Sequence, residues 1–460
     1  MRVGRLIGPE LRDVLRENPE EVGSLLDAFH PEDIADVIGE LPEEEAATVL
    51  GRLSAEHAAT IFERLEEHEQ EAIAEELGPE SVAHIAAEMA PDDRVELLET
   101  LDEETSEKVL ASLEKIDPEA AEEVAEIEKW PESSAGRLMT TAYIAVLPSA
   151  RVEDAVRAIR EGVEAETANY VYLVNQGQRL VAVVSLRELL LSEPRTLLSD
   201  LATENFISVP PTMDQEDAAR RMAKYDLTAL PVVDEKGVFL GIITVDDIID
   251  VLTEEQSEDV QRLGGVEPLE ASYFATTYWT FIRKRASWLL ALFVGEFFTG
   301  SALRHYDEVL QAVTTLAFYV PLLVSTGGNS GGQSSSLVIR GMAVGEIKMG
   351  DWWRVLGREL GQGVVLGLIL ATVGIGRVML WGDGLRFALV IGTTLIGIVT
   401  MGCTVGSMLP FLLKRLGFDP ATSSAPFIAS LVDVLGILIY FNVAKLLLAE
   451  VISAAAKHVM

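Results

Sequence analysis

Two groups of oxygen-bearing side chains in this sequence have the type and spacing to hold a hard cation. The first centres on Asp433, inside the apolar run PFIASLVDVLGILIYF. A carboxylate at the middle of a membrane span costs at least about 2.5 kcal/mol on the most lenient insertion scale, so it should face water or a cation. A protonated acid between helices and a proton relay are the other uses of such a residue. Pro426, two turns earlier, has no N–H, which predicts that the carbonyl of Thr422 is freed to turn toward water or an ion. A strip of Gly, Ser, Asn and Gln, PLLVSTGGNSGGQSSSLVIRG, cannot face lipid and must line protein or water. Within it Asn329 and Gln333 offer amide oxygens one helical turn apart. Oxygen ligands without a His or Cys cluster suit magnesium better than zinc or copper, while calcium and manganese stay open.

The second group is an acidic stripe. Asp247, Asp250, Glu254 and Glu258 are three or four residues apart, with Glu255 and Asp259 beside them, so they share one face of a helix. Like charges so arranged repel. A solvated helix face is their ordinary meaning, and a surface that collects cations is the other.

The elements that must position these groups fall into three regions. Over 460 residues, long enough for two or three domains, 73 acidic residues stand against 36 basic ones, a formal charge of -37. That balance argues against nucleic acid as a partner, because phosphates reward Lys and Arg. Roughly 38 acids against about 10 bases fall in residues 1–130, about three quarters of the excess; solubility is the bland reason for it. The single cysteine, Cys403, excludes a disulfide framework or thiolate cluster. The N-terminal MRVGRLIGPELRDVLREN has no signal-peptide core, which places residues 1–285 in the cytosol.

From His30 to Leu113 a unit of about 12 residues recurs: PEDIADVIGELP, SAEHAATIFERLE, PESVAHIAAEMA, PDDRVELLETLD, EETSEKVLASLE. Each opens on Pro, Ser or an acid pair, which starts a helix, and carries apolar residues at three and four spacing. The expectation is an all-α superhelix of short stacked helices over 1–130. From about Thr141 to Leu252 strands alternate with helices twice, AYIAVLPSARVEDAVRAI, VYLV and VAVVSLREL returning as NFISVPPTMDQEDAARRM, LPVV and GIITVDDII. This α/β region, 131–252, resembles a tandem pair of CBS domains. The resemblance gives Thr244 and Asp247 a role in holding an adenosine ribose, as of ATP or another adenine nucleotide; the first repeat has Ser185 and Glu188 there. Thr244 with Asp247 is equally a capping box.

Residues 286–460 hold five apolar runs of roughly bilayer length: ASWLLALFVGEFFTGSAL, the stretch around LQAVTTLAFYVPLLVST, LGQGVVLGLILATVGIG, FALVIGTTLIGIVTMGCTVGSMLPFLL and PFIASLVDVLGILIYFNVAKLLLA. Arg283, Lys284 and Arg285 precede the first, and Arg340, Lys348, Arg354, Lys414 and Arg415 fall in the second and fourth connections, which places those loops in the cytosol. An odd number of spans sends the C-terminus, with Lys457 and His458, to the far side. Gly357 and Gly361, Gly363 and Gly367, and Gly402 and Gly406 are small pairs four apart that let helix backbones approach.

SAGRLMTT at 134–141, the CBS pair, TGGNSGGQ at 326–333 and DPATSSAP followed by Asp433 occur in the order and spacing that resemble the MgtE family of magnesium transporters, across essentially the whole chain. The resemblance implies a homodimeric channel of the inner membrane with its pore on the two-fold axis between the fifth helices. Asp433 is then the pore carboxylate, joined by the carbonyl of Ala429 around a hydrated magnesium ion. The segment 253–285 takes the place of the plug helix. Asp92, Asp214, Glu216, Asp226 and Asp419 sit at places resembling the family's sensor acids, together with Asp247, Asp250, Glu255, Glu258 and Asp259. High cytosolic magnesium would bridge these acids and close the pore. Glu296, a second acid at membrane depth, matches no pore position of the family. Two rival readings are a proton- or sodium-coupled divalent cation transporter and a membrane-anchored nucleotide sensor. No motif suggests an enzyme.

Overall fold

A computed structural model describes Leu26 and residues 29–162, 165–269 and 273–453. The chain divides into two compact units, residues 1–254 and 255–460. Lys457 and His458 lie outside the described residues.

Among the described residues the first unit opens with eight helices: α1 (Pro31–Gly39), α2 (Glu43–Leu50), α3 (Ala55–Phe62), α4 (Glu67–Leu77), α5 (Pro79–Ala87), α6 (Pro91–Thr100), α7 (Glu103–Ile116) and α8 (Pro118–Ile127). Their start signals work as the sequence suggests. Proline occupies the first turn of α1, α5, α6 and α8, where no intrahelical donor is needed. Asp102 accepts from the backbone N–H groups of Glu104 and Thr105, and Asp117 from those of Glu119 and Ala120. Most pack on the helix two places along, as stacked repeats do, and bury Ile38, Val49, Ile61, Phe62 and Val109 in one continuous core.

The α/β part follows. It comprises β1 (Ala145–Val146), α9 (Val152–Glu161), β2 (Tyr170–Val174), β3 (Leu180–Ser185), α10 (Leu186–Leu191) and α11 (Leu198–Leu201), then α12 (Gln215–Tyr225), β4 (Ala229–Val233) and β5 (Phe239–Thr244). In the first repeat β1 runs parallel to β2 and β2 antiparallel to β3; in the second, β4 and β5 are antiparallel. The strand expected around NFISV shrinks to one parallel bridge, Val209 to Val232. Two prolines, Pro210 and Pro211, follow Val209 and remove the donors that would extend it. Helix α13 (Val245–Leu263) starts on the last strand and runs across the boundary between the units.

The second unit is helical: α14 (Tyr278–His305), α15 (Asp307–Ala312), a 3-10 turn at Thr314–Tyr319, α16 (Val320–Ala343), α17 (Trp352–Trp381), α18 (Leu385–Arg415), a 3-10 turn at Pro420–Thr422 and α19 (Ala425–Leu447). Among the described residues four helices are long and apolar enough to cross a membrane: α14, α17 with the turn before it, α18 and α19. The second expected span takes a different form. Its apolar run LQAVTTLAFYVPLLVST is split between α15, the 3-10 turn and the start of α16, and the 24-residue helix proper carries the Gly- and Ser-rich strip. That composition keeps α16 below the hydropathy of the other four, and the helix is covered instead by α18 and α19.

Glycine sets that packing. A Cβ on Gly406 would stand 2.1 Å from the carbonyl oxygen of Gly331, and one on Gly402 would stand 2.6 Å from that of Gly327. Gly363 and Gly367 likewise press on the backbone of α18 at Thr400 and Ile396. Gly357 and Gly361 differ from expectation: a Cβ on either meets no atom within 4 Å, so they bring no helices of this unit together. Gly406→Ala is therefore expected to destabilise the chain by about 1–3 kcal/mol, since the obstacle is backbone. Gly357→Ala should cost nothing. Thermal unfolding of the two variants in detergent checks the contrast, and equal melting temperatures would contradict it.

Candidate ion pathway and acidic cluster

Asp433 lies eight residues past Ala425, the first residue of α19, hence about 12 Å along a helix long enough to span a bilayer. Its side chain is half-buried. What brings α16 close is Gly328: a Cβ there would stand 3.1 Å from the Cβ of Ala429 and 3.9 Å from Oδ1 of Asp433. Asn329 and Gln333 are exposed on α16, on the side that α18 and α19 leave uncovered. The polar strip therefore splits by face. Gly327, Ser330, Gly331 and Ser334 are buried in packing, while Ser325, Asn329, Gln333 and Ser336 remain open.

The start of α19 is held tightly. Ser424 accepts from the N–H of Phe427 and from Nε1 of Trp288 at 3.3 Å, and Ser335 of α16 donates to the carbonyl of Ser423 at 3.3 Å. Pro426 occupies the first turn of α19, where its missing N–H costs nothing. The expected free carbonyl at Thr422 does not arise, because Thr422 belongs to the preceding 3-10 turn and not to the helix. Pro426 thus acts as a start signal for α19.

Two further acids lie within the helical unit: Glu296, which the sequence puts at membrane depth without a role, and Glu359, which sequence reasoning misses. Glu296 accepts a hydrogen bond from Oγ of Ser430 at 3.0 Å, across α14 and α19. Glu359 of α17 is buried and accepts from Oγ of Ser334 at 2.6 Å. The i, i+4 pattern of α17 signals which face is small and buried, but no local pattern says that a serine on the preceding helix will meet Glu359.

The acidic cluster forms inside the first unit. Asp92 and Asp93 open α6, Glu96 follows one turn on, and these acids meet the fields of Asp247, Glu166, Asp250 and Glu254. Burial, and then the neighbouring carboxylates, push Asp93 up to about 8 and both Glu96 and Glu166 up to about 7. The same two causes raise Asp92 well above the carboxylate range. Its Oδ1 is buried without a hydrogen-bond partner. Burial also raises Asp247, although Thr244 donates to it from both its N–H and its hydroxyl. Arg94 brings no relief: it is buried and turned to the carbonyls of Ala86, Met89 and Ala120 and to the carboxylate of Glu123. Asp93, Glu96 and Glu166 are absent from the sequence reading. Asp93 is legible from the PDDR pair, but Glu166 lies in a loop whose neighbours only the fold supplies.

Among the described residues no three His, Cys, Asp or Glu side chains converge closely enough to hold a metal ion directly. The sign of the pH dependence follows from the raised values. A carboxyl whose folded-state value is raised supports the packed arrangement below its ordinary value near 4 and withdraws that support as pH climbs through 7 and 8. In magnesium-free buffer the chain should melt at a higher temperature at pH 6 than at pH 8.5. Added magnesium should stabilise it more at pH 8.5; a pH-independent melting temperature would contradict this.

The other expected sensor acids have local partners. Asp214 caps α12 through the N–H groups of Glu216 and Asp217, Glu216 is ion-paired with Arg220, and Asp226 ends α12 in the left-handed region at φ 52°. In the second unit Glu258 lies 2.6 Å from Arg262, which also binds Asp419. Glu255 and Asp259 are half-buried beside them on α13.

The hydroxyl and acid pairs of the two repeats are both capping pairs, Ser185 donating to Glu188 at 2.7 Å and Thr244 to Asp247. They differ in what they face. Ser185 and Glu188 line a cleft of about 370 Å³ with Tyr170, Tyr172, Thr203 and Tyr225. Thr244 is buried, and Asp247 is committed to the acidic cluster.

Known proteins share this order of domains. Residues 29–133 match the MgtE intracellular N domain, 135–193 and 198–254 each match a CBS domain, and 320–443 match the MgtE divalent cation transporter family. The magnesium transporter MgtE of Thermus thermophilus is 44% identical over 73% of this chain and 75% of its own length. That of Bacillus subtilis is 34% identical over 76% and 77%. A crystal structure of the soluble part of a magnesium transporter, 33% identical, superposes with a TM-score of 0.52 over 55% of this chain and 99% of that one.

Proposed function

The chain belongs to the MgtE family of magnesium transporters, and from this membership and its own geometry we propose that it is a magnesium channel closed by cytosolic magnesium. The observation that carries the proposal is Asp433, at mid-span beside the close approach of Gly328 and Ala429, with Asn329 and Gln333 open on the neighbouring helix. A carboxylate at that depth needs water or a cation. Pairing two chains as a homodimer sets two such carboxylates and two Ala429 carbonyls around one path. Magnesium sheds water reluctantly and is commonly held by one or two carboxylates plus retained waters, which fits so sparse a donor set.

Residues 1–130, 131–252 and 253–285 form the cytosolic control apparatus in this reading, and 286–460 the pore in the inner membrane, with the C-terminus on the far side. Regulation draws on the acids. Without a divalent ion, the charges around Asp92, Asp93, Glu96, Glu166 and Asp247 repel and disfavour the packed state. Hydrated magnesium bound among them, and along Asp250, Glu255, Glu258 and Asp259, favours packing and closure. Asp214, Glu216 and Asp419 would join only by exchanging their present partners. The ion shifts the equilibrium by its differential affinity for the closed state and by nothing else.

A second reading attaches to the cleft at Ser185 and Glu188, whose tyrosines and hydroxyls suit an adenine nucleotide such as ATP. Titration calorimetry with ATP on the native chain and on Glu188→Ala tests it. The transport proposal itself is tested by flux in sealed vesicles. Magnesium entry should follow its own electrochemical gradient with no proton or sodium gradient present; a strict need for either co-ion would establish the coupled-transporter alternative.

A further inference from the structure

Glu296 plays no part in the pathway drawn so far. It sits near the middle of the apolar run 286–303, so water at a span end cannot solvate it. No Lys, Arg or His pairs with it among the described residues; its hydrogen-bond donor there is the neutral Ser430 hydroxyl at 3.0 Å. One neutral donor is poor compensation for a carboxylate in hydrocarbon. Its placement on the chain is specific. The helix carrying it comes close to α19 at Gly295, where a Cβ would stand 3.9 Å from that of Ser430. Ser430 is three residues before Asp433, on the same side of α19. Within the second unit α14 packs mainly on α19, so the helix's principal neighbour is the one that bears the pore acid.

We propose that Glu296 is a specificity-determining residue of the ion pathway, which Ser430 holds beside Asp433 so that each chain presents two carboxylates to the passing cation. The inference rests on the channel reading above. Its consequence is selectivity by valence. A potential that favours a monovalent ion by a given factor favours a divalent ion by the square of that factor, because the energy is proportional to charge. Removing one of two nearby acids therefore costs magnesium more than sodium.

The test is single-channel recording of the full-length protein in planar bilayers, reading unitary magnesium conductance and the magnesium-to-sodium permeability ratio. Glu296→Gln is expected to lower magnesium conductance about 10-fold at submillimolar magnesium and the permeability ratio about 3-fold, with the deficit shrinking at saturating magnesium. Glu296→Asp should recover most of both. Ser430→Ala, which keeps the charge and frees its position, should lower the ratio partway. A native conductance and ratio in Glu296→Gln, while Asp433→Asn is silent, would overturn the role of Glu296 and leave the channel reading standing. Native conductance in Asp433→Asn would overturn the channel reading itself. Should Glu296→Gln fail to assemble, an unchanged ratio in Ser430→Ala overturns the proposal.

Discussion

Magnesium flux through vesicles bearing Asp433→Asn is expected to fall by on the order of 100-fold or more, with the fold and assembly intact. Asn preserves the size of the side chain and an oxygen that can bond to ion-bound water, so what is lost is charge. Two unit charges 4 Å apart gain about 4 kcal/mol at the effective dielectric of a partly wet site, and a divalent ion doubles the stake. Retained waters hold the ion further off and reduce that figure, yet several kcal/mol remain, which is two or more decades of occupancy. The backbone does not compensate. The carbonyl of Ala429 brings a dipole, and Gly328 brings only room. Equal flux from Asp433→Asn and the native chain would show that the carboxylate is structural.

Neutralising Asp247, Asp250, Glu255 and Glu258 together should abolish closure by cytosolic magnesium, or move its midpoint by at least about 10-fold to higher concentration. The side chains differ in what they lose. Asp247→Asn keeps an oxygen for the Thr244 cap and removes one of the charges that raise Asp92 and Glu166. Glu258→Gln weakens the pair with Arg262, which leaves that guanidinium to Asp419. The variant offers magnesium fewer acids to bind, so the ion has less differential affinity for the packed state and closure needs more of it. Closure surviving at its native midpoint would show that the acids are a solvated surface and nothing more.

The fold was largely legible because its signals are local. Proline and Asp or Ser at helix starts, the repeat near 12 residues and the displaced copies of the strand–helix pattern all act within a few residues of where they are read. The second span was legible only in part, because hydropathy sees an apolar run but not which residues a neighbour will cover. Gly331 lies in polar sequence, yet it packs against Gly406 and is buried. Asp433 stands out in the sequence because its cost depends on depth alone. Glu166 and Glu359 do not, since the one is raised by acids from distant elements and the other is held by a serine 25 positions away. Pro426 shows the opposite error. Its chemistry was read correctly, but the helix starts one residue before it and not several, so no carbonyl is freed.

The most direct measurement of whether water reaches residue 433 is thiol labelling in sealed vesicles. Replacing the lone cysteine, Cys403→Ser, and introducing Asp433→Cys leaves one thiol at the point in question. Rapid modification by a charged, membrane-impermeant reagent is expected in magnesium-free solution, with slowing when cytosolic magnesium is raised. Labelling by a lipid-soluble maleimide alone, at any magnesium concentration, would place residue 433 against lipid or in a dry interior, and the channel would have to run elsewhere.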